Sequence, residues 1–108
     1  MAVRFNPGAI GVPGAGGSLA QGYTNNSGTP GNTTINTPSG RAAIAAAATA
    51  CTVTSSACLA TSKVFVTLES ADATLLYIKQ VTVAGGSFTV TGVASATGNC
   101  TFSFIIVN

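Results

Sequence analysis

The stretch Gly85-Gly86-Ser87-Phe88-Thr89-Val90-Thr91 decides the fold class. Two glycines turn the chain, and the next five residues alternate polar and apolar, with Phe88 and Val90 on one side. Period-two alternation after a glycine turn marks a half-buried strand. Upstream, Leu75 to Val83 supplies a partner, with Leu75, Tyr77, Lys79, Val81 and Val83 on one face and Leu76, Ile78, Gln80 and Thr82 on the other. Downstream, past the polar turn Ser95 to Asn99, Thr101 to Val107 closes the chain's pattern with Phe102, Phe104 and Ile106 on one face. Val64-Phe65-Val66-Thr67-Leu68 adds a further run, opened by Ser62-Lys63 and closed by Glu69-Ser70-Ala71-Asp72. Short strands at intervals of roughly 8–12 residues predict a sandwich or barrel. The expectation is an all-β protein: a small, jelly-roll-like β-sandwich body over residues 39–108.

One stretch inside that body resists a pattern reading. Ala42 to Ala48 is rich in alanine, a strong helix former, and Ser39 could cap a helix there. A seven-residue alanine helix is marginal alone, and Cys51-Thr52-Val53-Thr54 reads as strand. Pattern leaves helix and strand open.

Composition shifts near Pro38. Residues 1–38 hold all four prolines and most of the glycines, and their apolar residues are isolated. Such a segment buries too little apolar area to offset the entropy of ordering itself. It is expected to be an extended arm held by another chain, reaching on the order of 125 Å at ~3.3 Å per residue. Arg4, Phe5, Ile10, Leu19 and Tyr23 are its candidate partner-binding residues: a cation, two rings and two aliphatics able to dock into pockets.

Charged side chains make up 6% of the chain, four basic and two acidic, against ~25% in ordinary soluble domains. Mean hydropathy is +0.51. So little charge fits a membrane or an assembly that covers the surface. The longest apolar run is Ala42 to Ala48, far short of the ~20 residues a span needs, so no membrane is expected. No basic start precedes an apolar stretch, and no signal peptide is expected. A net charge of +2 spread over scattered residues gives no stripe for nucleic acid.

Chemistry is sparse. There is no histidine, which removes the commonest general base and metal ligand. Glu69 and Asp72, three apart, could in principle serve as a carboxylate pair for glycoside hydrolysis; they read more simply as solvated turn residues. Cys51, Cys58 and Cys100 lack the short spacing of structural zinc sites, and burial as free thiols is expected. Gly14-Ala15-Gly16-Gly17 lacks the strand, helix and lysine of a phosphate-binding loop. No catalytic residue, metal or cofactor is expected.

From Gly40 to Asn108, about two thirds of the chain, the sequence resembles a β-module of tailed-bacteriophage virion proteins. The shared cadence is Gly40-Arg41-Ala42-Ala43-Ile44-Ala45, Cys51-Thr52-Val53-Thr54, Val64-Phe65-Val66, Ala84 to Val90, and the ending Phe102 to Asn108. The three cysteines and the arm depart from it. The resemblance tips Arg41 to Thr54 to strand. It implies a non-enzymatic capsid decoration (cement) protein, homotrimeric, bound to the major capsid protein in the virion and made in the bacterial host cytoplasm. A receptor- or glycan-binding module of a head or tail fibre is the alternative.

Overall fold

The structure, a computed structural model, describes residues 22–108. Eight strands form two four-stranded sheets, and no helix occurs among the described residues. β1 (Tyr23–Asn25), β3 (Ser39–Ile44), β8 (Cys100–Val107) and β5 (Lys63–Leu68) make one sheet in the order β1-β3-β8-β5. β2 (Thr33–Thr34), β4 (Ala50–Thr54), β7 (Ser87–Gly92) and β6 (Ile78–Ala84) make the other in the order β2-β4-β7-β6. The pairings nest: β3 with β8, β4 with β7, and β5 joining the far side of β8, all antiparallel. This is the jelly-roll-like sandwich expected, with its strands folded over as one long hairpin.

The core lies between the sheets. Phe102, Phe104 and Ile106 of β8 and Phe88 and Val90 of β7 point inward, as the alternation requires. Phe88 and Phe104 meet across the sandwich edge-to-face, ring centroids 4.8 Å apart and planes at 63°. Cys51 and Val53 of β4 and Ala42 and Ile44 of β3 complete the inner layers.

The alanine run is strand and turn. Ser39 to Ile44 pairs residue for residue with β8, so the small Gly40 and Ala42 sit beside Phe104 and Phe102 of the neighbouring strand. The chain then turns, with φ +70° at Ala47, and its amides are tied to the 96–99 loop: Ala46 N–H donates to Asn99 Oδ1 at 3.0 Å and Ala47 N–H to the Ala96 carbonyl at 2.8 Å. Ladder bonds to β8 outweigh a local helix that would be marginal on its own.

Two readings need correction. The strand expected from Leu75 begins at Ile78, and a β-bulge between Ile78 and Gln80 shifts its phase. Ile78, Val81 and Val83 therefore face inward together, while Tyr77 and Lys79 face solvent. Leu75 is fully buried, but from a turn. Secondly, residues 22–38, grouped with the arm by composition, join the body. β1 lies parallel on β3, β2 lies parallel on β4, and Ile35 is 1% exposed in the core. Backbone pairing, not an amphipathic pattern of their own, holds these short pieces.

Candidate functional site

The sheet order leaves the sandwich asymmetric. On one side β1 and β2 cover the sheet edges; on the other, β5 and β6 are both edge strands and run beside each other. Val64, Val66 and Leu68 of β5 and Ile78, Val81 and Val83 of β6 are only half-buried along this seam. Near its Lys63 end they open into a groove of about 390 Å³, lined by Lys63, Val64, Phe65, Val81 and Val83. Phe65 points to the outer face and is 62% exposed. An edge strand offers a row of unpaired N–H and C=O groups as a template for another strand. Neither β5 nor β6 contains proline, and each carries one lysine and no acid. This side of the sandwich is apolar and rich in backbone hydrogen-bonding capacity.

The two carboxylates hold loops. Asp72 Oδ1 accepts from the N–H of Leu75 at 2.9 Å and of Thr74 at 3.0 Å, while Oδ2 accepts from the N–H of Thr97 at 2.9 Å and of Gly98 at 3.1 Å. One side chain thereby staples the β5–β6 loop to the β7–β8 loop. These amide donors, Leu75 foremost, hold its carboxyl far below the ordinary carboxylate range. Glu69 accepts from Ser103 Oγ at 2.5 Å and from Arg41 Nε at 2.6 Å on the outer face of the β1-β3-β8-β5 sheet. The Ser103 hydrogen bond, then Arg41, lowers its pKa. Both groups are committed to structural hydrogen bonds in their ionised form, opposite to the raised pKa of a general acid.

The stapled loop presents a second exposed feature. Tyr77 N–H donates to the Leu75 carbonyl at 2.8 Å around Leu76, which has φ +66°. This is a γ-turn of the strained hand. It leaves Leu76 54% and Tyr77 60% exposed, beside the exposed Val93.

Cys51, Cys58 and Cys100 are free and buried, as expected. Burial pushes the Cys51 thiol up to about 11 and raises Cys58 and Cys100 as well. A thiol kept protonated is a poor nucleophile and a poor ligand. Among the described residues, no three His, Cys, Asp or Glu side chains are grouped to hold a metal ion, and no helix is long and apolar enough to cross a membrane.

No protein-family model, curated protein or solved structure matches the chain. Of the candidate contact residues, Arg4, Phe5, Ile10 and Leu19 lie outside the described residues. Tyr23 is exposed on β1, at the edge of its sheet opposite β5. The seam itself, with Phe65, Val81 and Val83, was not among the sequence candidates. Its signal lay in Val64-Phe65-Val66: a strand apolar on both faces wants cover on both, and a sandwich supplies only one.

Proposed function

We propose that this chain is a non-enzymatic structural component of a tailed-bacteriophage virion, a capsid decoration (cement) protein. It assembles as a homotrimer, sits on the major capsid protein at subunit junctions, and opposes expansion of the shell under packaged DNA. The observation that carries this reading is the half-buried aliphatic β5–β6 side, uncovered among the described residues, on a chain in which only 6% of residues are charged. A surface of that kind is stabilised by being covered, at roughly 25 cal/mol per Å² of apolar area removed from water. The resemblance of residues 40–108 to virion β-modules supplies the setting. Three free, buried thiols suit synthesis in a reducing bacterial cytoplasm.

In this mechanism no side chain does chemistry. Each copy adds interface at a junction, and shell opening has to expose that interface again. The reading is tested by adding purified protein to expanded heads that lack it, then measuring site occupancy and the temperature at which DNA is released. Saturable occupancy with delayed release is expected; heads that bind no protein would refute the role. Sedimentation at micromolar concentration tests the trimer, and a clean 10.5 kDa monomer refutes it.

A second reading has its own observation. Tyr77 and Leu76 at a rigid loop tip are the exposed ring and aliphatic that a receptor- or glycan-binding module of a fibre would use. Binding of host-surface glycans that is lost in Tyr77→Ala, with head binding absent, would favour it.

A further inference from the structure

The two sheets present unlike outer faces. On the β2-β4-β7-β6 sheet the outward positions include Thr52 and Thr54 of β4, Ser87, Thr89 and Thr91 of β7, and Thr82 of β6. That is a solvated hydroxyl surface, as a sheet with one wet face should have. The β1-β3-β8-β5 sheet breaks the rule. Its registers align Tyr23 with Ser39, Ser39 with Ile105, and Ile105 with Phe65. One outward row therefore crosses all four strands and ends in an aromatic ring at each edge. Both rings are more than half exposed, and the exposed Val107 extends the row two residues beyond Ile105. An apolar patch on the order of 300 Å² is at the scale that marks contact sites on protein surfaces.

We propose that this outer face packs against two further copies of the chain around a three-fold axis, with the Tyr23 edge of one copy against the Phe65 edge of the next. The inference rests on the assembly reading above and names the surface that makes the trimer. Charge selects the occupant. The apolar row holds no charged residue. In the row beside it, Asn25 aligns with Arg41, Arg41 with Ser103, and Ser103 with Thr67. Arg41 is the one cation there, and it is already paired with Glu69, whose second oxygen accepts from Ser103. Lys63 lies at the rim, level with Val107, where its ammonium stays in water. A face neutralised from within has no field to draw a nucleic acid or an anionic surface. Its electrostatic match is another uncharged apolar face, and each further copy carries one.

Symmetry sets the pairing of the edges. A closed ring of three uses two different patches on each copy, so every junction joins unlike edges. The row supplies such a pair: Tyr23 and Phe65 differ, lie level with each other, and stand three strand spacings apart, ~14 Å. At each junction a tyrosine meets a phenylalanine, with the phenol oxygen left at the wet rim. Ile105, inside the row, faces the axis. Phe65 is also a wall of the groove with Val64, Val81 and Val83, so the neighbour that covers Phe65 closes the near end of the β5–β6 seam as well. The hydroxyl faces of the other three sheets then point outward to solvent.

The test compares full-length parent, Tyr23→Lys, Phe65→Lys and, on the opposite face, Thr89→Lys by sedimentation, each first shown to unfold cooperatively in urea. Tyr23→Lys and Phe65→Lys should sediment as folded monomers at concentrations where the parent and Thr89→Lys are trimers. Trimers retained in both ring variants, or lost equally in Thr89→Lys, overturn the proposal. A second measurement needs no variant, because Tyr23 and Tyr77 are the chain's two tyrosines. Nitration of the assembled parent, mapped by peptide mass, should be at least tenfold slower at Tyr23 than at Tyr77; equal rates overturn the proposal. A parent trimer with equal nitration refutes this face and leaves the assembly reading standing. A parent that is monomeric at every concentration refutes the assembly reading and this proposal with it.

Discussion

Gly92 and Leu75 offer a thermodynamic cycle whose outcome the packing dictates. A Cβ built on Gly92 would lie 2.4 Å from Leu75 Cγ, 2.7 Å from Cδ1 and 3.0 Å from Cδ2. Leu75 is fully buried, and its backbone N–H is held by Asp72, so its Cα cannot retreat without moving that loop. Gly92→Ala therefore overpacks the core, costing about 1–3 kcal/mol. Its φ is not in the left-handed region, so stiffening of the unfolded chain offsets about 0.4–1 kcal/mol of that. Leu75→Ala alone leaves a cavity and costs about 2–5 kcal/mol. In the double variant the clashing atoms are gone, and the new methyl occupies part of the vacated space, worth about 0.8 kcal/mol per buried CH₂. The double variant should then be no less stable than Leu75→Ala and gain up to about 1 kcal/mol over it. Coupling between the two sites is thus about 1–3 kcal/mol. Urea unfolding measures it, with all four proteins at one protomer concentration because self-association shifts apparent stability. Costs that simply add, within about 0.5 kcal/mol, would show that Gly92 is not a space-limited position.

Three further outcomes can be checked. Asp72 has a folded pKa below its unfolded value of about 3.9, so it contributes stability that is present above that pH and is lost as pH falls through the folded value. Asp72→Asn sets an N–H against those of Thr97 and Gly98; unfolding midpoints from pH 7 to pH 2 should be lower at neutrality and fall less on acidification, and an unchanged acid slope would contradict the assignment. Gly40→Ala would place a Cβ 2.6 Å from the Thr24 carbonyl oxygen, so β1 should detach while β3 and β8 stay paired, seen as new protease cleavage near residues 22–26; resistance equal to the parent would count against it. Finally, alkylation of denatured, unreduced protein should add three groups by intact mass, whereas a single added group would mean that two of the buried thiols had joined.

Where a strand carries its own amphipathic pattern, the sequence was legible. Ser87 to Thr91 and Thr101 to Val107 alternate cleanly, and their inward residues are those expected. Failures came where long-range contacts set local structure. The β6 bulge reverses phase without any glycine or proline to announce it. Tyr23 to Asn25 and Thr33 to Thr34 are strands only because β3 and β4 offer them backbone partners. The seam was hidden for a related reason: which strands end a sheet is a property of topology, and Val64 or Val81 looks the same at an edge as at a centre. Asp72 was read as a solvated turn residue because its partners Thr97 and Gly98 lie 25 and 26 positions away.

The place of β8 in its sheet has a consequence for synthesis. It lies between β3 and β5, although it is the last of the eight strands to leave the ribosome. Lys63 must wait for Val107 before β5 acquires any ladder, and until Ile105 emerges β3 has only the short β1 beside it. The β6–β7 hairpin and its pairing with β4 can form earlier, because their partners are already made. A nascent chain is thus a half-finished sandwich with one sheet lacking the strand that joins β3 to β5, and topologies dominated by such distant pairings close slowly. Until residues 100–107 emerge, two apolar strands stand open to every other chain on the same polysome, which places the greatest aggregation risk in the interval before β8 is made.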